Sequence, residues 1–215
     1  MTIIRANFAG CGGFGVQMRV LIYGTLAVLA ALLVTDTNIG MLLQEDQQWA
    51  VRATINHLSS KKMTSDADLA ARIADSGGFR ESRVYGYVVQ FAEARRLDFS
   101  FYAYTPLLSG SKVFIGGSFW DVGTIGRSSV LIHELAHITR HKNRLLGGFP
   151  RSADEAQAYR RQYLTYSSVE LSPSADGVVY WNMMIGIHAY VLPAYPEYRD
   201  RPDIRSAMRG LEIED

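Results

Sequence analysis

The sequence predicts an α+β domain, mostly helical, with a small sheet beside one buried helix. Three observations predict it. Apolar residues recur at helical spacing through most of the chain from residue 41 to residue 192. Strand-like composition, rich in aromatic and β-branched residues, is confined to residues 98–115. The stretch Val130–Ile138 is apolar nearly all round, which marks a helix packed on every side.

The 215 residues suit one domain, residues 36–215, after a leader of residues 1–35. An apolar fraction of 48%, with three Trp, twelve Tyr and nine Phe, is ample for a core. The net charge is +1, from 22 basic and 21 acidic residues, so nothing argues for a nucleic-acid partner. The single cysteine, Cys11, excludes an internal disulfide framework and a Cys-rich zinc site.

In the leader, Val20–Val34 is an uncharged apolar run between Arg19 and Asp36. It matches a secretory h-region in length, with Arg5 and Arg19 as the basic flank. A small-x-small cleavage site is missing, since Thr35-Asp36-Thr37-Asn38 follows. A membrane span takes about twenty residues, so this run is short for one. A buried core helix is the third reading. The charge flanks would place the amino end in the cytoplasm. The expectation is therefore a secreted or membrane-anchored protein, associated with the membrane through residues 20–34, with its domain outside the cytoplasm.

Residues 41–58 are expected to form a helix, with Leu42, Leu43, Trp49, Ala50, Ala53 and His57 near helical spacing and His57 as a surface or interface residue rather than a ligand. Ser65-Asp66-Ala67-Asp68 resembles a capping box that opens a helix to about Ala74, closed by Gly77-Gly78. Glu81–Arg96 is a further amphipathic pattern. Asp98–Tyr104 and Lys112–Ile115 read as strands about a turn at Ser109-Gly110-Ser111. Lys112–Ile115 is the candidate edge for an extended substrate. A loop is expected over Asp121–Arg127, with Ser128 or Ser129 capping the next helix. Later, Ser172–Gly177 reads as a loop, and Val178–Leu192 as a core helix ended by Pro193 and Pro196. His188, within it, reads as a satisfied core histidine, with a transition-state donor at the site as the alternative. A short helix and loose tail complete the chain.

The buried helix carries His133, Glu134 and His137, an H-E-x-x-H arrangement. Residues four apart share a helix face, so both imidazoles can reach one ion. Glu134 beside them can reach a water held there, the pattern in which two His bind Zn2+ and Glu is the general base. The bland alternative is a core helix with two hydrogen-bonded histidines and a buried Glu. Catalytic zinc usually takes a third protein ligand. His141 is a poor one, because it lies about 12 Å from His133 along the helix axis. It is better suited to the helix C-terminal end. The extended three-His pattern also fails, since its last position is Asn143. The third ligand is expected in Ser152–Tyr159. Glu155 is preferred, because two His and one Glu form a known catalytic set; Asp154 is the alternative. Ser152-x-x-Glu155 is equally a capping box, and Asp154 would suit the helix dipole. Tyr159 shares the face of Glu155 and is either core or a phenol donor to an oxyanion.

His133-Glu134-x-x-His137 followed by a helical acid resembles the zincin metallopeptidases. Phe119-Trp120, Gly126, Ser128-Ser129 and Ile132-His133-Glu134 look like the deuterolysin or lysine-specific endopeptidase group. That likeness implies Asp154 as third ligand and Tyr159 as its companion, although the family's Asp and Tyr stand closer together and its Gly-Thr before the Asp is absent here. The run Glu155-Ala-Gln-Ala-Tyr159 instead resembles Glu-type zincins. The resemblance covers roughly residues 112–160. It implies a zinc endopeptidase acting on a peptide or protein substrate, and such small domains include secreted bacterial toxins. Rival readings are a membrane-anchored binding or assembly module with a non-catalytic metal, and an amidase acting on cell-wall peptides.

Overall fold

A computed structural model describes residues 40–82, 102–106, 111–140 and 151–211. These form a mostly helical α+β fold with one four-stranded mixed sheet, as the sequence predicts. The strands are β1 (Gly40–Leu42), β2 (Phe79–Ser82), β3 (Ala103–Tyr104) and β4 (Val113–Ile115), in the order β1-β2-β4-β3. β1 runs antiparallel to β2, β2 parallel to β4, and β3 antiparallel to β4. All three residues of β4 are buried, which suits Val-Phe-Ile in a strand paired on both sides. The expectation that Lys112–Ile115 offers a free edge is therefore wrong. On that side the edge is β3, whose Tyr104 stacks on Phe114 at 5.0 Å.

Seven α-helices of four residues or more are described: α1 (Glu45–Ser60), α2 (Thr64–Asp75), α3 (Ser118–Asp121), α4 (Thr124–Thr139), α5 (Arg151–Thr165), α6 (Pro173–Gly186) and α7 (Pro202–Gly210). A π-helical turn, Ile187–Val191, extends α6 and is followed by a short turn, Leu192–Ala194, and a 3-10 turn, Pro196–Asp200. α4 lies at the centre, against α1, α2, α5, α6 and β3. Its apolar girdle follows from that position: Val130, Leu131, Ile132, Leu135 and Ala136 are all buried.

Several local expectations change. Met41 and Leu42 belong to β1, and α1 starts only after Gln44, whose backbone N–H donates to Gln47 Oε1 at 2.8 Å. The expected capping box at Ser65–Asp68 is not formed: α2 starts at Thr64 after Met63 with no side-chain cap, and Asp66 in its first turn is buried and pairs with Arg161 on α5. Gly77, at φ +65°, turns the chain after α2 as expected. Glu81 and Ser82 lie in β2; the remainder of the amphipathic pattern to Arg96 falls outside the described residues. So do residues 1–39, the turn Ser109-Gly110, and His141 with the loop to Pro150. Among the described residues no helix is long and apolar enough to cross a membrane.

The expected loop over Asp121–Arg127 shrinks to Val122-Gly123, because α4 opens at Thr124 with Gly123 extended before it. Arg127 explains the early start. Its guanidinium donates to the carbonyls of Phe119 (3.1 Å) and Trp120 (2.7 Å), tying α3 to the first turns of α4. Ser128 and Ser129 are thus interior and buried rather than caps. Ser128 Oγ donates back to Thr124 O and meets His57 Nδ1, each at 2.8 Å, so of the two places expected for half-buried His57, surface or interface, it takes the interface between helices. Ser172–Gly177 is also not a loop: Ser172 accepts from the Ala175 N–H at 3.1 Å and caps α6, with one non-helical residue, Asp176, inside. The apolar run beyond it packs into the core through Val179, Met183, Met184, Ile187 and Val191. At the carboxyl end, Tyr163 and Tyr166 both donate to Asp203 of α7, at 2.9–3.0 Å.

Asp66→Ala should cost about 1.5–3 kcal/mol in urea denaturation, the range for hydrogen bonds to charged groups. Arg161→Ala added to that change should cost little more, because the pair acts as one unit.

Candidate metal centre

Three side chains converge beside α4. One helical turn separates His133 from His137, and their Nε2 atoms stand 3.2 Å apart. Glu155, in the first turns of α5, presents Oε2 to both rings, 3.4 Å from His133 Nε2 and 3.7 Å from His137 Nε2. Ligands about 2.0–2.1 Å from a tetrahedral zinc lie about 3.3 Å from one another. The three separations bracket that value, so this donor set fits one such ion, and among the described residues these three could hold it. His133 and Glu155 keep 12% and 19% of their side-chain surface exposed, against 4% for His137, so access is from the His133–Glu155 side.

Asp154 takes a different place. Its Oδ2 lies 2.7 Å from His137 Nδ1, on the other side of the imidazole, and the carboxylate is buried. It therefore accepts the Nδ1 proton and leaves the Nε2 lone pair facing Glu155 and His133. The choice between the two acids divides by nitrogen: Glu155 faces Nε2 and Asp154 holds Nδ1. Burial disfavours charge on His137. The Asp154 hydrogen bond and the carboxylates of Glu134 and Glu155 outweigh it, so the pKa of the ring is raised.

Glu134 is buried beside the histidines. Thr105, just past the edge strand β3, donates its hydroxyl to Glu134 Oε2 at 2.8 Å. Pro106 confines Thr105 to extended backbone, which aims it at α4. This contact spans 29 residues and has no local signal, so the sequence did not reveal it. Tyr159 lies against His133, with ring centroids 4.4 Å apart at 65°. Burial, then the nearby Glu155, raise its pKa well above the ordinary phenol value, so it stays protonated. His188 is half-buried on the π turn, and no described residue gives it a hydrogen bond; the satisfied core histidine expected there is not found.

No protein-family model matches this chain, and no curated protein or solved structure is significantly similar to it.

The raised His137 pKa has a defined pH signature. Folding favours the protonated ring in the metal-free chain, so this contribution to stability is complete below the unfolded value of 6.5. It is lost as the pH rises through the folded value. NMR titration of the metal-free chain should place His137 above 6.5, and Asp154→Asn should bring it down. A wild-type value below 6.5 would contradict the arrangement.

Proposed function

We propose that this chain is a zinc-dependent endopeptidase of the zincin type. The observation that carries the reading is the triangle of His133 Nε2, His137 Nε2 and Glu155 Oε2, with edges of 3.2, 3.4 and 3.7 Å, next to a buried glutamate. Two His, one Glu and an adjacent carboxylate make up a hydrolytic zinc set. Zinc held there would polarise a scissile carbonyl and make water a better nucleophile at neutral pH.

The protein groups have separate tasks. Water adds to the carbonyl carbon, and Glu134 takes its proton. The C–N bond then breaks, and Glu134 passes that proton to the leaving amine. Thr105 occupies one oxygen of Glu134 and leaves the other for this exchange. Asp154 keeps His137 in the tautomer that points its lone pair at the ion. Tyr159, held in its protonated form, is the candidate donor to the oxyanion that develops on the substrate.

Elemental analysis of the purified chain should find about one zinc per molecule, as a three-ligand catalytic site requires. Incubation with an unfolded protein should release peptides detectable by mass spectrometry. Glu134→Gln should retain zinc and abolish that release. Peptide release by the variant, or a wild-type chain without zinc, would refute the reading. Asp154→Asn should weaken zinc binding about 10–100-fold in chelator competition, the usual cost of losing a partner that orients a ligand.

A further inference from the structure

The two histidines are not held alike. His137 has Asp154 on its second nitrogen. His133 Nδ1 is buried, and no group among the described residues accepts from it. An imidazole without that hydrogen bond can turn about its outer torsion and exchange its two nitrogens. Something else must fix the ring.

Besides Glu155 at its Nε2, the His133 ring meets two aromatic rings among the described residues, His137 at 4.9 Å and Tyr159 at 4.4 Å. Tyr159 is itself locked from behind. Its ring lies parallel to Tyr190, with centroids 5.8 Å apart and planes 4° apart. It also rests on Gly186: a Cβ there would stand 2.2 Å from Tyr159 Cε1 and 2.3 Å from Cζ. Any larger residue would push the ring away, and no flexible tip is available to yield. The next residue begins the π turn Ile187–Val191, which carries Tyr190. Such turns insert one residue into a helix and recur at functional sites.

Building on the zinc reading above, we propose that Tyr159, seated on Gly186 and backed by Tyr190, is a positioning residue for His133. Its ring does by packing what Asp154 does for His137 by hydrogen bonding. Tyr159 then has two separable parts: the ring sets the ligand, and the hydroxyl serves the reaction. Gly186 and the π turn are the frame that makes the ring's seat.

Zinc affinity of the full chain, measured by competition with a chromophoric chelator, separates these parts. Tyr159→Phe keeps the ring and should bind zinc within about twofold of wild type, while kcat falls. Tyr159→Leu should lose about 10–100-fold in zinc affinity and alter the visible spectrum of the cobalt-loaded protein. Tyr190→Ala, which touches no ligand, should move both readouts in the same direction by less, and serves if Tyr159→Leu fails to fold. Zinc affinity and cobalt spectrum unchanged in Tyr159→Leu, or in a folded Tyr190→Ala, would overturn the proposal while leaving the zinc site standing. A wild-type chain that takes up no zinc would remove the zinc reading itself.

Discussion

A helix buried on every side cannot carry two histidines and a glutamate without a partner for each, because unpaired polar groups in an apolar interior cost several kcal/mol. The arrangement around α4 follows from that constraint. β3 brings Thr105 to Glu134. α5 brings Asp154 to His137 and Glu155 to both Nε2 atoms. α6 and its π turn bring Gly186 and Tyr190 to the ring that covers His133. The sheet, α5, and α6 with its π turn can thus be read as the means of satisfying one turn of α4.

Those partners differ in strength and in what they allow. A buried charge-assisted hydrogen bond such as His137–Asp154 is short and directional. An aromatic contact such as His133–Tyr159 is worth about 0.5–1.5 kcal/mol beyond its area and tolerates small rotations. The two-sided site is therefore stiff at His137 and softer at His133. The softer side is also the more open one, where a substrate would enter under the zinc-peptidase proposal.

Much of this was legible in the sequence, and the reasons are specific. The burial of α4 followed from its all-round apolar pattern, and the pairing of His133 with His137 from helical spacing. Glu155 was reached by ligand chemistry rather than geometry. What escaped depends on contacts distant in the chain. Ser65-Asp66-Ala67-Asp68 looked like a capping box because a cap is a local signal, whereas Asp66 pairs with Arg161, 95 residues away. Ser128 looked like a helix start because Gly123, which holds that position, has no side chain to signal it. Lys112–Ile115 looked like an edge because strand order cannot be read from one strand. Thr105 and Tyr190 carried no motif at all.

The adjacency of Asp154 and Glu155 looked ambiguous in the sequence, as if one acid were a ligand and the other a spare. The geometry gives that adjacency a reason. The two nitrogens of an imidazole point to different sides of the ring, so a metal-facing histidine needs a group on each side. Consecutive residues on a helix point about 100° apart, since 3.6 residues complete a turn. Two neighbouring acids on α5 can therefore straddle His137, Glu155 towards Nε2 and Asp154 towards Nδ1. His133, one turn away on α4, is within reach of Glu155 but lacks such a neighbour on its Nδ1. A single helix turn on α5 supplies one pair of acids, enough to bracket one histidine, and the other had to be held by an aromatic ring.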